Sequence, residues 1–228
     1  MSHHVNIVRI KVVANALYTL KEKVVFVGGA TISLYPDKPV LEVRPTDDVD
    51  VIIEILNYKN RVEVEEKLRA IGFTNDIQSG VVCRFQIQGI VVDIMPTNDP
   101  SIGFGNRWYP EGFNEAVDYV IDDRCTVKIL SAPYFIATKL EAFKGRGKND
   151  GRTSSDFEDI IYVLENRKEI WKEMIEAKKE LQDYLKFEFE NLLKNSNIEE
   201  WIDCHVEKRY PVPTTEFIFE KLNSFCYY

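Results

Sequence analysis

Apolar residues follow two rhythms along this chain, and they divide it. Val24-Val25-Phe26-Val27 is an unbroken apolar run closed by Gly28-Gly29, the pattern of a short buried strand. "VDVIIEI", from Val49, predicts a second strand. "VVCRFQIQ" and "IVVDIMP" predict two strands joined at Gly89 as a hairpin, and "VDYVIDDRCTVKIL" predicts another pair turning at Asp122-Asp123-Arg124. Between them, "VNIVRIKVVANALYTLKEK" predicts a leading helix. "ATISLYPDK" predicts a helix halted at Pro36, and "KNRVEVEEKLRAIGF" has helical spacing ending at a glycine. Beyond Pro133 the period is helical throughout, in "APYFIATKLEAF", "SSDFEDIIYVLENR" and "IWKEMIEAKKELQDYLKFEFENLL", the last predicted as one long helix with charged faces. The expected organisation is an α/β part over residues 1–131 and a helical part over 132–228, with no internal repeat and no low-complexity tract.

Composition narrows the function classes. The formal net charge of −8 argues against an indiscriminate nucleic-acid binder, which would carry an overall basic field, but leaves room for a local basic patch. No stretch reaches the roughly 18 apolar residues of a membrane span. The first residues, "MSHHVNIVRIKVV", lack the apolar core and cleavage site of a signal peptide, so a cytoplasmic protein with no membrane partner is expected. Cys83, Cys125, Cys204 and Cys226 are scattered without CxxC spacing, which fits neither a zinc site nor a disulfide framework. Of the histidines, His3 and His4 are expected in a mobile terminus, and none is placed to pair with a cysteine as a nucleophile.

The stretch "RPTDDVDVIIEI" drives aspartates into a run of valine and isoleucine. An ionised carboxylate out of water is costly unless something pairs with it, and no lysine follows within the run. Residues two apart on a strand share a face, so Asp48 and Asp50 point one way while Asp47 and Val49 point the other. Asp93, in "VVDIM", is a third carboxylate among apolar residues on a separate strand. Three such acids repel one another unless a cation joins them. Mg²⁺ prefers oxygen ligands and takes one or two carboxylates together with substrate phosphates. An acidic strand end facing water explains the pair equally well in isolation, and an edge strand explains Asp93. Gly28-Gly29 adds an independent part, because glycines that close a strand and open a helix leave backbone N–H groups for phosphate, although a plain tight turn also uses them.

Taken together, "VGGATISLY", "RPTDDVDVII" and "VVDIMP" resemble the Gly-Gly turn, paired-carboxylate strand and third-carboxylate strand of the DNA polymerase β-like nucleotidyltransferases. "RPTDDVD" is similar to the Arg-x-Thr-x-Asp-x-Asp of the AbiEii/AbiGii toxin-like members. "IATKLEAFKGRGKNDGRTSSDFEDII" resembles that family's lysine helix followed by an Asp-x-x-Asp helix. The resemblance spans roughly residues 24 to 166. It implies a polymerase β-like α/β core, a mixed sheet with flanking helices, followed by a C-terminal helical bundle that contributes to the active site. It implies Asp48, Asp50 and Asp93 as ligands of Mg²⁺ or Mn²⁺, with Asp93 also the base. Gly28, Gly29, Ser33, Arg44 and Lys139 would lie on the nucleotide side, and Lys139 and Asp156 would complete the catalytic set.

The residues of the second motif also have plainer readings. Phe135, Ile136, Leu140 and Phe143 form an apolar helix face with Lys139 at its edge, either snorkelling or aimed at a triphosphate. Asp156 suits a helix N-terminus capped by Ser154 or Ser155, so the choice among Asp150, Asp156 and Asp159 stays open. Lys144, Arg146, Lys148 and Arg152 crowd a glycine-flanked loop that is either merely solvated or a phosphate contact. The expected activity is Mg²⁺-dependent transfer of a nucleoside monophosphate from NTP to an acceptor hydroxyl. The expected acceptor is RNA, most of all tRNA, and the expected role is that of a toxin with an antitoxin partner, in a toxin-antitoxin or abortive-infection system. Its rivals are a small-molecule adenylyltransferase of the antibiotic-modifying kind and a non-catalytic nucleotide-binding module.

Overall fold

In the computed structural model, which describes residues 2–37, 43–55, 58–98, 105–147, 150–206 and 215–227, the apolar run Val24–Val27 forms β1 and is buried at every position. An unbroken apolar run is what a central strand needs, because both of its faces are covered. The chain divides into two units, Met1–Leu34 with Pro39–Ser131, and Tyr35–Lys38 with Ala132–Tyr228.

The first unit is built on a seven-stranded mixed sheet. Its strands are β1, β2 (Asp48–Ile53), β3 (Thr74–Asn75), β4 (Arg84–Ile87), β5 (Ile90–Pro96), β6 (Val117–Asp122) and β7 (Cys125–Ile129), in the order β3-β4-β5-β2-β1-β7-β6. β2 runs antiparallel to β1 and parallel to β5, so β2 and β5 are both interior strands. Asp93 is therefore on an interior strand and not at a sheet edge facing water. The β4–β5 hairpin turns at Gln88 and Gly89, both with positive φ (50° and 77°), as a two-residue turn matched to strand twist requires.

Helix α1 (Ser2–Leu17) lays Asn6, Ile10, Val13, Ala14 and Leu17 against this unit as one buried stripe. It includes His3 and His4, which therefore belong to a helix. Buried Asn6 donates to the Arg44 carbonyl (3.3 Å) and accepts from the Thr46 backbone N–H (3.3 Å), tying the approach to β2 onto α1. The segment after β1 is a 3-10 helix, Gly29–Leu34, and not an α-helix. Thr31 donates to the Gly28 carbonyl through its backbone N–H (3.3 Å) and its hydroxyl (2.8 Å), which tightens the turn. Helices α2 (Tyr58–Ala70) and α3 (Tyr109–Asn114) complete the unit.

The described elements of the second unit are helices: α4 (Ala132–Arg146), α5 (Ser155–Asn166), α6 (Ile170–Ile175), α7 (Lys179–Leu193), α8 (Ile198–His205) and α9 (Thr215–Tyr227). The long helix expected from Ile170 is two helices. Lys178 leaves helical space at ψ 140°, and the Gln182 side chain caps the Ile175 carbonyl at 2.7 Å. Phe143, Phe157 and Trp201 meet in edge-on and tilted pairs 5.4–6.1 Å apart and form this unit's aromatic centre.

Candidate metal centre

The parallel register of β2 and β5 sets Asp50 beside Asp93 and Asp48 beside Val91. Asp48, Asp50 and Asp93 each bring a carboxylate oxygen within 4.8 Å of the others. Asp93 is nearly buried, whereas the Asp48 side chain is 38% exposed, so the cluster is open on one side. The strand positions between and beyond these acids, Val49, Val51 and Ile52, are fully buried, which fixes the register holding the acids together.

Gly28 closes β1 next to this cluster, with Val27 paired to Asp50 across the antiparallel strands. Its φ is +72°, and a β-carbon there would lie 1.9 Å from Asp50 Oδ2. The carboxylate occupies space that only glycine leaves open. Gly29 begins the following 3-10 helix, in which Ser33 is buried with a hydroxyl that has no hydrogen-bond partner. Arg44 is half-buried in the segment anchored by Asn6.

A cation in this cluster escaped the sequence reading. Arg84 stands opposite Asp93 in the β4–β5 register. Its Nε donates to Asp93 Oδ1 and its NH2 to Asp93 Oδ2, each at 2.8 Å, a bidentate fork. The same NH2 lies 3.5 Å from Asp48 Oδ2. The hydrogen bonds to Asp93, and then the surrounding carboxylate charge, hold the guanidinium pKa above its ordinary value. Neighbouring Cys83 is pushed up to about 11 by burial and by the charge of Asp93, so it is a thiol at neutral pH and no nucleophile.

In the second unit, Lys139 on α4 is buried between two carboxylates of α5, with Nζ 3.1 Å from Asp156 Oδ1 and 2.5 Å from Asp159 Oδ2. Burial opposes its charge, but the two carboxylates outweigh it and raise its pKa. Asp156 also accepts a fork from Arg146, at 2.6 and 2.8 Å. Burial opposes ionisation of Asp156 too, yet Arg146 and Lys139 hold its carboxyl below the usual range. The N-cap of α5 is Ser154, which accepts from the Phe157 N–H at 3.3 Å. Asp156 is thus a buried ion-pair partner rather than a capping group, and Asp159 shares its lysine, while Asp150 is engaged by Arg152 at 2.9 Å.

The basic loop is largely neutralised within this unit. Lys144 pairs with Glu188 at 2.6 Å, Arg146 with Asp156 and Arg152 with Asp150, while Lys148 lies outside the described residues. Arg146 ends helix α4 and is not a loop residue.

Paired acids on an interior strand, a third acid on its parallel neighbour and a Gly-Gly turn beside them, on a mixed sheet, are consistent with a nucleotidyltransferase-like α/β fold. The family described as nucleotidyl transferase AbiEii toxin, type IV toxin-antitoxin system, matches residues 12–217, and the chain belongs to that family. Its members are nucleotidyltransferase toxins, and the type IV assignment implies an antitoxin partner and a nucleotide substrate. No curated protein matches the chain. Among the described residues no helix is long and apolar enough to cross a membrane.

Proposed function

We propose that this chain transfers a nucleoside monophosphate from NTP to an acceptor hydroxyl, that the acceptor is RNA and in particular tRNA, and that this activity is toxic until an antitoxin restrains it. The observation that carries the reading is the convergence of Asp48, Asp50 and Asp93 within 4.8 Å on neighbouring strands. The donor set is all oxygen, with ligand spacing suited to one small hard cation, so Mg²⁺ or Mn²⁺ fits it. Asp48, Asp50 and Asp93 would hold the ion, which when bound supplies charge neutralisation of the triphosphate and polarisation of its phosphoryl oxygens.

In the proposed reaction the acceptor oxygen attacks the α-phosphorus, the bond to the bridging oxygen of the β-phosphate breaks, and pyrophosphate leaves with that electron pair. Asp93 takes the hydroxyl proton, since each carboxylate oxygen retains a lone pair beyond the one given to Arg84. The Gly28-Gly29 backbone and Ser33 would serve the phosphate side of the nucleotide, and Arg44 would add positive charge. Lys139 and Asp156 belong to the same proposal as residues that transfer requires.

The test is incubation of the purified chain with α-labelled NTP, Mg²⁺ and purified tRNA, alongside Asp48→Asn and Asp50→Asn. Label should enter RNA in the wild type and in neither variant. Label confined to a small molecule would move the assignment to an antibiotic-type adenylyltransferase. Nucleotide binding indifferent to Mg²⁺ and to Asp48→Asn, with no label moved, would leave only a binding module.

A further inference from the structure

Arg84 is placed by strand register, not by crowding. It stands directly opposite Asp93 on the antiparallel neighbour, where side chains of facing residues meet on one side of the sheet. Its side chain is 26% exposed, and a cavity of about 220 Å³ lined by Asn75, Asp76, Gly80, Val81 and Arg84 itself, among others, lies beside it. Room to point elsewhere exists, so attraction to the carboxylates holds the guanidinium where it is. Both oxygens of Asp93 accept from it, and Asp48 lies at 3.5 Å. The three acids carry three negative charges and Arg84 one positive charge. The remainder is two, which one divalent ion cancels. A second ion would add unbalanced positive charge and would compete with the guanidinium for the oxygens of Asp93.

We propose that Arg84 is a resident counter-cation that limits the Asp48–Asp50–Asp93 cluster to one divalent ion in the nucleotide-free protein. The inference rests on the metal-site reading above and adds to it a residue and a number. Arg84 holds Asp93 in place before the ion arrives, which spares the cluster the mutual repulsion of three bare carboxylates. A further ion enters only with the negative charge of the triphosphate.

The experiment is Mn²⁺ titration of the full chain without nucleotide, read by the electron paramagnetic resonance of free Mn²⁺. Wild type should bind one Mn²⁺ per chain. Arg84→Gln removes the competing charge and should bind the first ion at least about tenfold more tightly. Arg84→Lys keeps the charge and should stay near wild type, and thermal melts check that each variant is folded. Two ions bound by the wild type, an unchanged affinity in Arg84→Gln, or the same tightening in Arg84→Lys would each overturn the proposal while leaving the metal site standing. No Mn²⁺ bound by either the wild type or Arg84→Gln would overturn the metal site itself, and this proposal with it. If Arg84→Gln does not fold, the wild-type stoichiometry and Arg84→Lys still decide.

Discussion

The Asp50 carboxylate fills the place of a side chain at residue 28: a β-carbon on Gly28 would stand 1.9 Å from Asp50 Oδ2 and 2.7 Å from its Cγ. Gly28→Ala must therefore move Asp50 as well as strain a backbone at φ +72°. Gly89 is a matched control. Its φ is +77°, and a β-carbon there meets nothing within 4 Å. Both variants should lose about 1–2 kcal/mol of stability through left-handed strain. Gly28→Ala alone should lower Mn²⁺ affinity, by about 10–100-fold as for other groups that orient metal ligands. Equal Mn²⁺ affinity in the two variants would detach Gly28 from the site.

Lys139 offers a separation of folding from chemistry. It is buried between Asp156 and Asp159, and removing one member of such a group costs about 3–5 kcal/mol because charge is left behind in the interior. Lys139→Met should be strongly destabilised in a denaturant melt. Adding Asp159→Asn should recover much of that loss, because Arg146 still neutralises Asp156. If Lys139 also acts on the nucleotide, the double variant will be stable and still fail to transfer label. Recovery of transfer together with stability would assign Lys139 to the fold alone.

Asp156 sets a pH dependence whose sign follows from its lowered pKa. A depressed carboxyl stabilises the folded state above its unfolded pKa, about 3.9, and that contribution is lost as pH falls through the lower folded value. Lys139, with its raised pKa, contributes fully below its unfolded value of about 10.4 and loses its part only as pH rises through the folded one. The network should therefore contribute evenly between about pH 4 and pH 10. Thermal melts should show a gap between wild type and Asp156→Asn that is constant from pH 7 to pH 5 and narrows in stronger acid. A gap that widens as pH falls would reverse the sign.

Much of the site could be read from local pattern. Period-two spacing places Asp48 and Asp50 on one side of a strand, and glycine after an apolar run marks the turn beside them. The Arg84–Asp93 pair was legible too, because a two-residue turn at Gln88-Gly89 pairs Ile87 with Ile90 and, counting outward, Arg84 with Asp93. The meeting of Asp50 with Asp93 was less accessible, since a parallel register between strands some forty residues apart follows from tertiary packing and not from any local signal. The break between α6 and α7 left no glycine or proline in the sequence to announce it, and helical period continued across it. The ion pairs that absorb Lys144, Arg146 and Arg152 depend on which helices lie side by side, so the loop looked more basic in sequence than it is in the fold.

That neutralisation redirects the search for an RNA contact. Arg146 is forked onto buried Asp156, so Arg146→Glu should fail first in stability and say little about RNA. Lys148, between Gly147 and Asn149, lies in the same stretch from Lys144 to Arg152, outside the described residues. If it meets an acceptor phosphate, Lys148→Glu should reduce tRNA labelling and leave Mg²⁺-dependent NTP binding unchanged. A phosphate that the protein no longer neutralises keeps its counterions, so the plot of log affinity for tRNA against log salt should flatten by about 0.7–0.9 for each such phosphate. Filter binding of tRNA across a salt series, run beside the labelling assay, measures both effects. Unchanged labelling and an unchanged slope in Lys148→Glu would remove this stretch from the RNA interface and leave the acceptor to be bound elsewhere on the chain.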